Sequence, residues 1–480
     1  MIQYEKLYKQ EVITENAFRV EKDFLGEMNI DIHAYYGIQT LRAKNNFDIT
    51  NTNISLFPTF IKSLAKVKKA CAITNYQLED LTLEQKDAIV QACDEIIDGK
   101  LHDQFIVDPI QGGAGTSSNM NANEVIANRA LEIIGHPRAA YNIIHPNNHV
   151  NMSQSTNDAY PTAIKITLHE LIYKLKESLR YLREVYNEKA IEFAHVLKMG
   201  RTQLQDAVPM TLGQEFNTYS IMVDEDIYRL REAQELLRQV NLGATAIGTG
   251  INTRNHYRKL VIKNLRKVTG VDFDNSGDLI EATQDTGVFV HVSGLLKRVV
   301  IKISKVANDL RLLSSGPRAG FNEINLPPLQ PGSSIMPGKV NPVIPEVVNQ
   351  VAFEVIGADT TISIACEGGQ LQLNVFEPLI AYKLFNSINM MRKSFYALAD
   401  KCIKGITANE EVCMNNVLNS ITIITYLNPI LGYETCSSIA KEALKTNKRV
   451  YDLILEKELV TKEELDELLL PQNMLRYKGN

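Results

Sequence analysis

Residues 332–342 read GSSIMPGKVNP, and these residue types suit the handling of an anion. Ser333 and Ser334 bring adjacent hydroxyls that can donate or accept a proton, and Lys339 brings a full positive charge. Asn341 is a good N-cap and Pro342 a favoured first helical residue, so the loop is expected to run straight into a helix. A helix start exposes unpaired N–H groups and partial positive charge, which favour a carboxylate or phosphate. Gly, Ser and Pro also build ordinary connections, so this loop alone leaves chemistry and simple linkage both open.

Three further stretches are polar, rich in small residues and expected beside helices. QGGAGTSSNMNANE (111–124) presents Thr116, Ser117 and Asn119; QSTNDAYP (154–161) presents Ser155, Thr156 and Asn157. MGRTQLQDAVPM (199–210) presents Thr202 and Gln203. Such hydroxyl and amide groups bind a small polar anion through several modest hydrogen bonds. Each also has a plain reading. The glycine-rich stretch is a turn without the GK[ST] ending of a phosphate loop, the Ser-Thr-Asn run is an N-cap, and Thr202 caps a helix after Arg201.

The elements that must position these groups are helical. After Pro161, apolar residues fall at Ile164, Leu168, Leu171, Leu175, Leu179, Leu182 and Val185, a single amphipathic stripe continuing to about Leu197. At 1.5 Å per residue such a helix spans about 50 Å, more than a small domain needs, and suits an elongated bundle. Similar patterns run over 212–240, 279–313 and 343–373. In the 279–313 helix, VSGLLKRVVIKISKVANDLRLL is apolar on nearly every face, which points to burial and subunit association. Breaks at 145–161 and 405–409 divide the chain into three expected domains. These are a mainly helical 1–153 carrying QGGAGTSSNMN, a central long-helix bundle over 154–405 with the GSSIMPGKVNP loop, and a small helical 406–480. In the last, Thr461 and Glu464 form a capping-box pattern and Pro471 marks the end. The fold class is all-α.

Composition narrows the function classes. With 51 basic and 56 acidic residues the net charge is −5, and no basic block points to nucleic acid. The N-terminal MIQYEKLYKQEV is charged throughout, unlike a signal peptide, and no stretch approaches the roughly 20 apolar residues that span a bilayer. Cys71, Cys93, Cys366, Cys402, Cys413 and Cys436 are scattered without a CxxC pair, so reduced thiols in a cytoplasmic protein are expected, with no zinc or disulfide framework. Nine histidines accompany Ser333 in no hydrolase arrangement, and His145 and His149 read as structural rather than catalytic.

Taken together, in this order and spacing, the four segments resemble the aspartase/fumarase superfamily, with GSSIMPGKVNP as its signature loop. The resemblance runs from about Ala34 to the GITANEEVC stretch after Gly405. Within the superfamily, MGRTQLQDAVPMTLGQEF, QGGAGTS, VNLGATAIGTGIN and LRLLSSGPRAGFNEINLP resemble the ammonia-lyase branch, the aspartases. Class II fumarases usually carry His where this chain has Gln203 and tend to read QTGSGT near Thr116. Gly338 departs from some aspartases, which have Ala there. Argininosuccinate and adenylosuccinate lyases share the loop but not the flanking text.

The resemblance implies reversible conversion of L-aspartate to fumarate and ammonia. Ser333 would be the base that removes the Cβ proton as an alkoxide, with Ser334 beside it. Thr116, Ser155, Thr156 and Thr202 would surround the β-carboxylate as it gains a second negative charge. Lys339 and Asn341 would hold the α-carboxylate and Asn157 the departing amino group, with Gln203 and Glu346 as further candidates. An unperturbed hydroxyl is a poor base, so the Ser333 anion needs backbone N–H groups and positive charge, expected from the Gly332 turn and Lys339. The resemblance also implies a homotetramer with a twenty-helix core, each site drawing residues from three chains, and no activity in the monomer. No metal-ligand spacing is evident and no cofactor is expected, with stimulation by a divalent cation such as Mg2+ left open. The alternatives are a class II fumarase acting on malate and a non-catalytic scaffold of the same fold.

Overall fold

The computed structural model describes residues 17–470 and Asn473. The charged N-terminal dodecapeptide and Pro471 lie outside the described residues. The described chain is all-α apart from short two-stranded pairings. A hairpin of β1 (Phe18–Asp23) and β2 (Gly26–Asp31) leads to α1 (Ile38–Asn46), α2 (Pro58–Gln77), α3 (Leu83–Ile97) and α4 (Thr116–Ile133). Then follow α5 (Thr156–Glu192), a hairpin of β3 (Leu197–Thr202) and β4 (Gln205–Thr211), and α6 (Leu212–Leu236). After α7 (Tyr257–Thr269) and the short α8 (Glu281–Gln284) come α9 (Gly287–Leu313), α10 (Val343–Glu367) and α11 (Glu377–Lys401). The chain closes on α12 (Glu410–Asn419), α13 (Asn428–Leu431), α14 (Tyr433–Thr446), α15 (Val450–Glu456) and α16 (Lys462–Leu468).

Two compact units result. The first comprises Met1–Tyr173, Arg231–Gly294 and Gly357–Ile388; the second comprises Lys174–Leu230, Leu295–Ile356 and Asn389–Asn480. Both are discontinuous because the long helices α5, α6, α9, α10 and α11 each begin in one unit and end in the other.

The helix limits differ from the periodicity-based ones for local reasons. α5 starts at Thr156 and contains Pro161, which has no N–H for the Asn157 carbonyl. That carbonyl instead accepts from Asn241 Nδ2 at 2.9 Å, so the proline is tolerated inside the first turns. The expected 279–313 helix is broken before Gly287, where Asp285 turns extended and its carboxylate accepts the Gly287 N–H at 3.1 Å. α10 stops at Glu367, before Gly368-Gly369, and Asn374 Nδ2 donates to the orphaned carbonyls of Ala365 and Cys366. Thr461 and Glu464 do form the expected capping box on α16.

Each unit supports one part of the chemistry. In the first, Phe60 on α2 packs against Tyr160 on α5, with ring centroids 5.5 Å apart, and fixes the start of α5. In the second, Leu197 and Met199 of β3 join a core with Val417, Leu427, Ile439, Leu453 and Leu465 of the C-terminal helices. That core holds the base of the β3–β4 hairpin.

Candidate active site

In the first unit the N-termini of α4 and α5 converge. Gly115, the residue before α4, has φ +91°, and a Cβ there would lie 2.5 Å from the Tyr160 ring, so only glycine allows this approach. Thr116 follows as the first residue of α4; it is exposed and its hydroxyl donates to the Gly113 carbonyl at 2.7 Å. One turn later, buried Asn119 donates through Nδ2 to Thr156 Oγ1 at 3.1 Å. Ser155 caps α5: its Oγ accepts the Asn157 N–H at 3.2 Å, and its own N–H goes to Asp158 Oδ1 at 2.9 Å. The other Asp158 oxygen accepts the Gly243 and Thr245 N–H groups. Burial raises the Asp158 carboxyl to about 6 against those donors. Asn157 Nδ2 donates to the Ala246 carbonyl at 2.7 Å, which leaves Oδ1 as an acceptor. Two helix N-termini and a row of hydroxyls make this an anion-favouring surface.

In the second unit residues 332–341 close into a compact loop. The Gly332 N–H donates to the Lys339 carbonyl at 2.7 Å, and Asn341 Nδ2 donates to the Gly332 carbonyl at 2.8 Å. A Cβ on Gly332 would lie 2.7 Å from the Lys339 oxygen, so the closure requires glycine. Asn341 thus ties the loop together rather than capping α10 with its side chain, and α10 begins at Val343. Ser333 Oγ accepts two backbone hydrogen bonds, from the Ile335 N–H at 3.2 Å and the Met336 N–H at 3.1 Å. The expected amide donors are therefore present, but they come from downstream of the serines and not from the Gly332 turn. Ser334 and Lys339 are exposed. Lys339, Asn341 and Glu346 line a cavity of about 590 Å³ together with Arg311 and Asn325.

Thr202 and Gln203, expected beside a helix, lie instead at the exposed tip of the β3–β4 hairpin, where Thr202 pairs with Gln205. Gln203 and Leu204 both have positive φ, 56° and 61°, the backbone sign of the tight hairpin turn that matches strand twist. Such residues are strained without glycine, and strain of this kind gathers at functional sites. Below the tip, Arg201 pairs with buried Glu323 at 2.5 Å and lies over the Phe321 ring at 4.4 Å. Lys198 bridges Glu323 and Glu215 at 3.1 and 2.6 Å. Burial pushes the Glu323 carboxyl up, but the Arg201 and Lys198 cations outweigh it and hold the group below its ordinary value.

Within the first unit, the structure thus brings together Thr116, Ser155, Thr156 and Asn157, and within the second Ser333, Ser334, Lys339 and Asn341. His145 acts as a turn cap, its Nδ1 accepting the N–H groups of Asn147 and Asn148, and His149 Nδ1 accepts the His145 N–H. Burial lowers the affinity of both rings for a proton, in keeping with their structural reading. Sequence reasoning missed Lys68, wholly buried and donating to Asn119 Oδ1, Asn151 Oδ1 and Gln154 Oε1 at 2.6, 2.9 and 2.8 Å. The signal was present, since Lys68 falls on the stripe of Ile61, Leu64 and Cys71 at spacings of three and four. Among the described residues no group of three or more His, Cys, Asp or Glu is placed to hold a metal ion.

Comparison with known proteins agrees with this geometry. The family described as lyase matches residues 26–357, and that described as fumarase C C-terminus matches residues 423–476. Aspartate ammonia-lyase of Helicobacter pylori (strain ATCC 700392 / 26695) is 61% identical over 95% of this chain and 98% of its own. Aspartate ammonia-lyase of Escherichia coli (strain K12) is 53% identical over 97% of this chain and 98% of its own. Among solved structures, a fumarate lyase:delta crystallin from Brucella melitensis bound to cobalt superposes with a TM-score of 0.93 at 51% identity, covering 95% of this chain and 99% of that one. A class II fumarase from Schistosoma mansoni superposes at 0.91 with 34% identity, covering 96% of this chain and 100% of that one. With the signature loop, the paired helix N-termini and the hairpin all in place, the chain belongs to the lyase family of the aspartase/fumarase superfamily.

Proposed function

We propose that this chain is an ammonia-lyase that converts L-aspartate reversibly to fumarate and ammonia. The observation that carries the reaction class is Ser333 Oγ held by two backbone N–H groups, which stabilise the oxygen as an anion. The identity of 61 and 53% to proteins named aspartate ammonia-lyase carries the choice of substrate. Gln203 supports it, since fumarases usually have His at this position.

Ser333 alkoxide takes the Cβ proton, and the electron pair spreads into the β-carboxylate as an aci-carboxylate. Hydroxyls of Ser155, Thr156 and Thr202 donate to that group, and Thr116 joins them once its hydrogen turns from the Gly113 carbonyl; such donors, once preorganised, are each worth about 3 kcal/mol in the transition state. Lys339 and Asn341 hold the α-carboxylate. The pair then returns to form the double bond as the C–N bond breaks, and the nitrogen leaves beside the Asn157 Oδ1 acceptor. Gln203 and Glu346 complete the pocket.

The working form is a homotetramer in which three chains supply each site. Exposed apolar side chains on the long helix α10, with Phe353 at 64% and Ile364 at 65%, support an association surface there. Among the described residues no helix is long and apolar enough to cross a membrane, and the proposed location is cytoplasmic. No cofactor enters the proposed chemistry, so chelation leaves basal turnover intact while added Mg2+ reveals any stimulation. The substrate assignment is tested by following fumarate absorbance with L-aspartate and, in parallel, L-malate. Fumarate from aspartate alone supports the reading; fumarate from malate alone makes the chain a hydratase.

A further inference from the structure

Lys68 is a buried cation with no carboxylate in contact among the described residues. Its ammonium has three hydrogens, and the three oxygens around it are all amide oxygens, from Asn119, Asn151 and Gln154. Two of those amides are oriented from behind. Asn151 Nδ2 donates to the Gln154 carbonyl, and Gln154 Nε2 donates to the Val150 and Met152 carbonyls. The third, Asn119, has its oxygen on Lys68, so its nitrogen is turned to Asn151 Oδ1 and Thr156 Oγ1, both at 3.1 Å. Flipping Asn119 would set an NH2 against the ammonium and its oxygen against another oxygen, so the orientation is fixed on both sides.

This has a consequence for Thr156, which accepts from Asn119 and has no acceptor for its own hydrogen among the described residues. We infer that Lys68, through Asn119, is a positioning residue that sets Thr156 as a hydrogen-bond donor to the substrate carboxylate. An ammonium can only donate, so the direction of each bond along Lys68, Asn119 and Thr156 is imposed from the buried end. Asn119 becomes a relay, and the hydroxyl is presented to an anion with its hydrogen outward. Had the buried group been a carboxylate, the same chain would run backwards and Thr156 would offer its lone pairs. The buried charge also adds to the field of the two helix N-termini. Burial holds the Lys68 amine down at about 8, and it stays charged below that pH.

The inference rests on Thr156 meeting a substrate carboxylate. It is tested on the full-length protein by a double-mutant cycle read as the dissociation constant of succinate, a dicarboxylate that is not turned over. Asn119→Asp keeps the shape and the Lys68 contact but presents only acceptors, so it captures the Thr156 hydrogen. Asn119→Asp and Thr156→Val are each expected to weaken succinate by about 10- to 100-fold, the loss of one hydrogen bond to a charged group. The double variant should be no weaker than Thr156→Val alone, because the relay acts only through that hydroxyl. Lys68→Met, taken through the same cycle, should behave likewise, with melting followed for all variants. Full additivity, or wild-type succinate affinity in Asn119→Asp, would overturn the relay. A wild type that turns over malate but not aspartate would overturn the ammonia-lyase reading, and the cycle would still decide the relay.

Discussion

Asn157 Nδ2 donates one hydrogen to the Ala246 carbonyl, which fixes the amide and leaves its oxygen open to a ligand. That oxygen suits an ammonium. Asn157→Ala should therefore raise KM for L-aspartate about 10- to 100-fold, the range for a hydrogen bond to a charged group. Succinate, which has no amino group, should inhibit the variant as it does the wild type. Equal losses for both ligands in an inhibition assay would remove Asn157 from the amine side. At this scale the residue types in the four motifs were legible in the sequence, because hydroxyls and amides clustered in small-residue stretches have few other uses. Their polarity was not. Whether Asn157 donates or accepts depends on Ala246, 89 positions away, and Thr156 on Asn119, 37 positions away. Lys68 was visible as a misplaced charge on an apolar stripe, but its three partners exist only in the fold.

Among the elements, the signature loop and the β3–β4 hairpin make separate demands. Gly332→Ala would force its Cβ against the Lys339 carbonyl and open the loop, which the Asn341 side chain also holds. The loop is exposed and carries little core, so turnover should fall at least tenfold while the melting temperature barely moves; a large drop in melting would contradict this. The hairpin depends on Glu323. Its carboxyl is held below its ordinary value by Arg201 and Lys198, so the stabilisation is present above the ordinary carboxylate range and is lost as pH falls through the lowered value. Glu323→Gln should flatten the acid limb of a plot of melting temperature against pH. At neutral pH it should destabilise by about 3 kcal/mol, since it leaves buried Lys198 short of a partner. The long helices α5, α6, α9 and α10 were readable from periodicity, with ends displaced by up to about two turns, whereas α11 was not read. The exceptions are instructive: Pro161 lies inside α5 because Asn241 satisfies the freed carbonyl, and Thr202 sits on a hairpin whose turn residues, Gln203 and Leu204, carry no glycine or asparagine signal.

For the whole molecule, the four motifs divide between two compact units that the chain enters and leaves along its long helices. The exposed Phe353 and Ile364 on α10 are the surface on which the proposed assembly depends. Phe353→Asp should yield a smaller species by light scattering that is folded but lacks activity; a fully active monomer would refute shared sites. The all-round apolar pattern of α9 is the sequence's own argument for the proposed association, whereas the proposed stoichiometry comes only from the family resemblance. The central claim is that Ser333, its alkoxide stabilised by the amides of Ile335 and Met336, removes the Cβ proton of L-aspartate. Its most direct test is fumarate formation from L-aspartate by Ser333→Ala beside wild type, with succinate binding measured on both. The account predicts unchanged succinate binding and a rate lowered by about 10³-fold, within the range for a lost general base. Near-normal turnover by Ser333→Ala would contradict it.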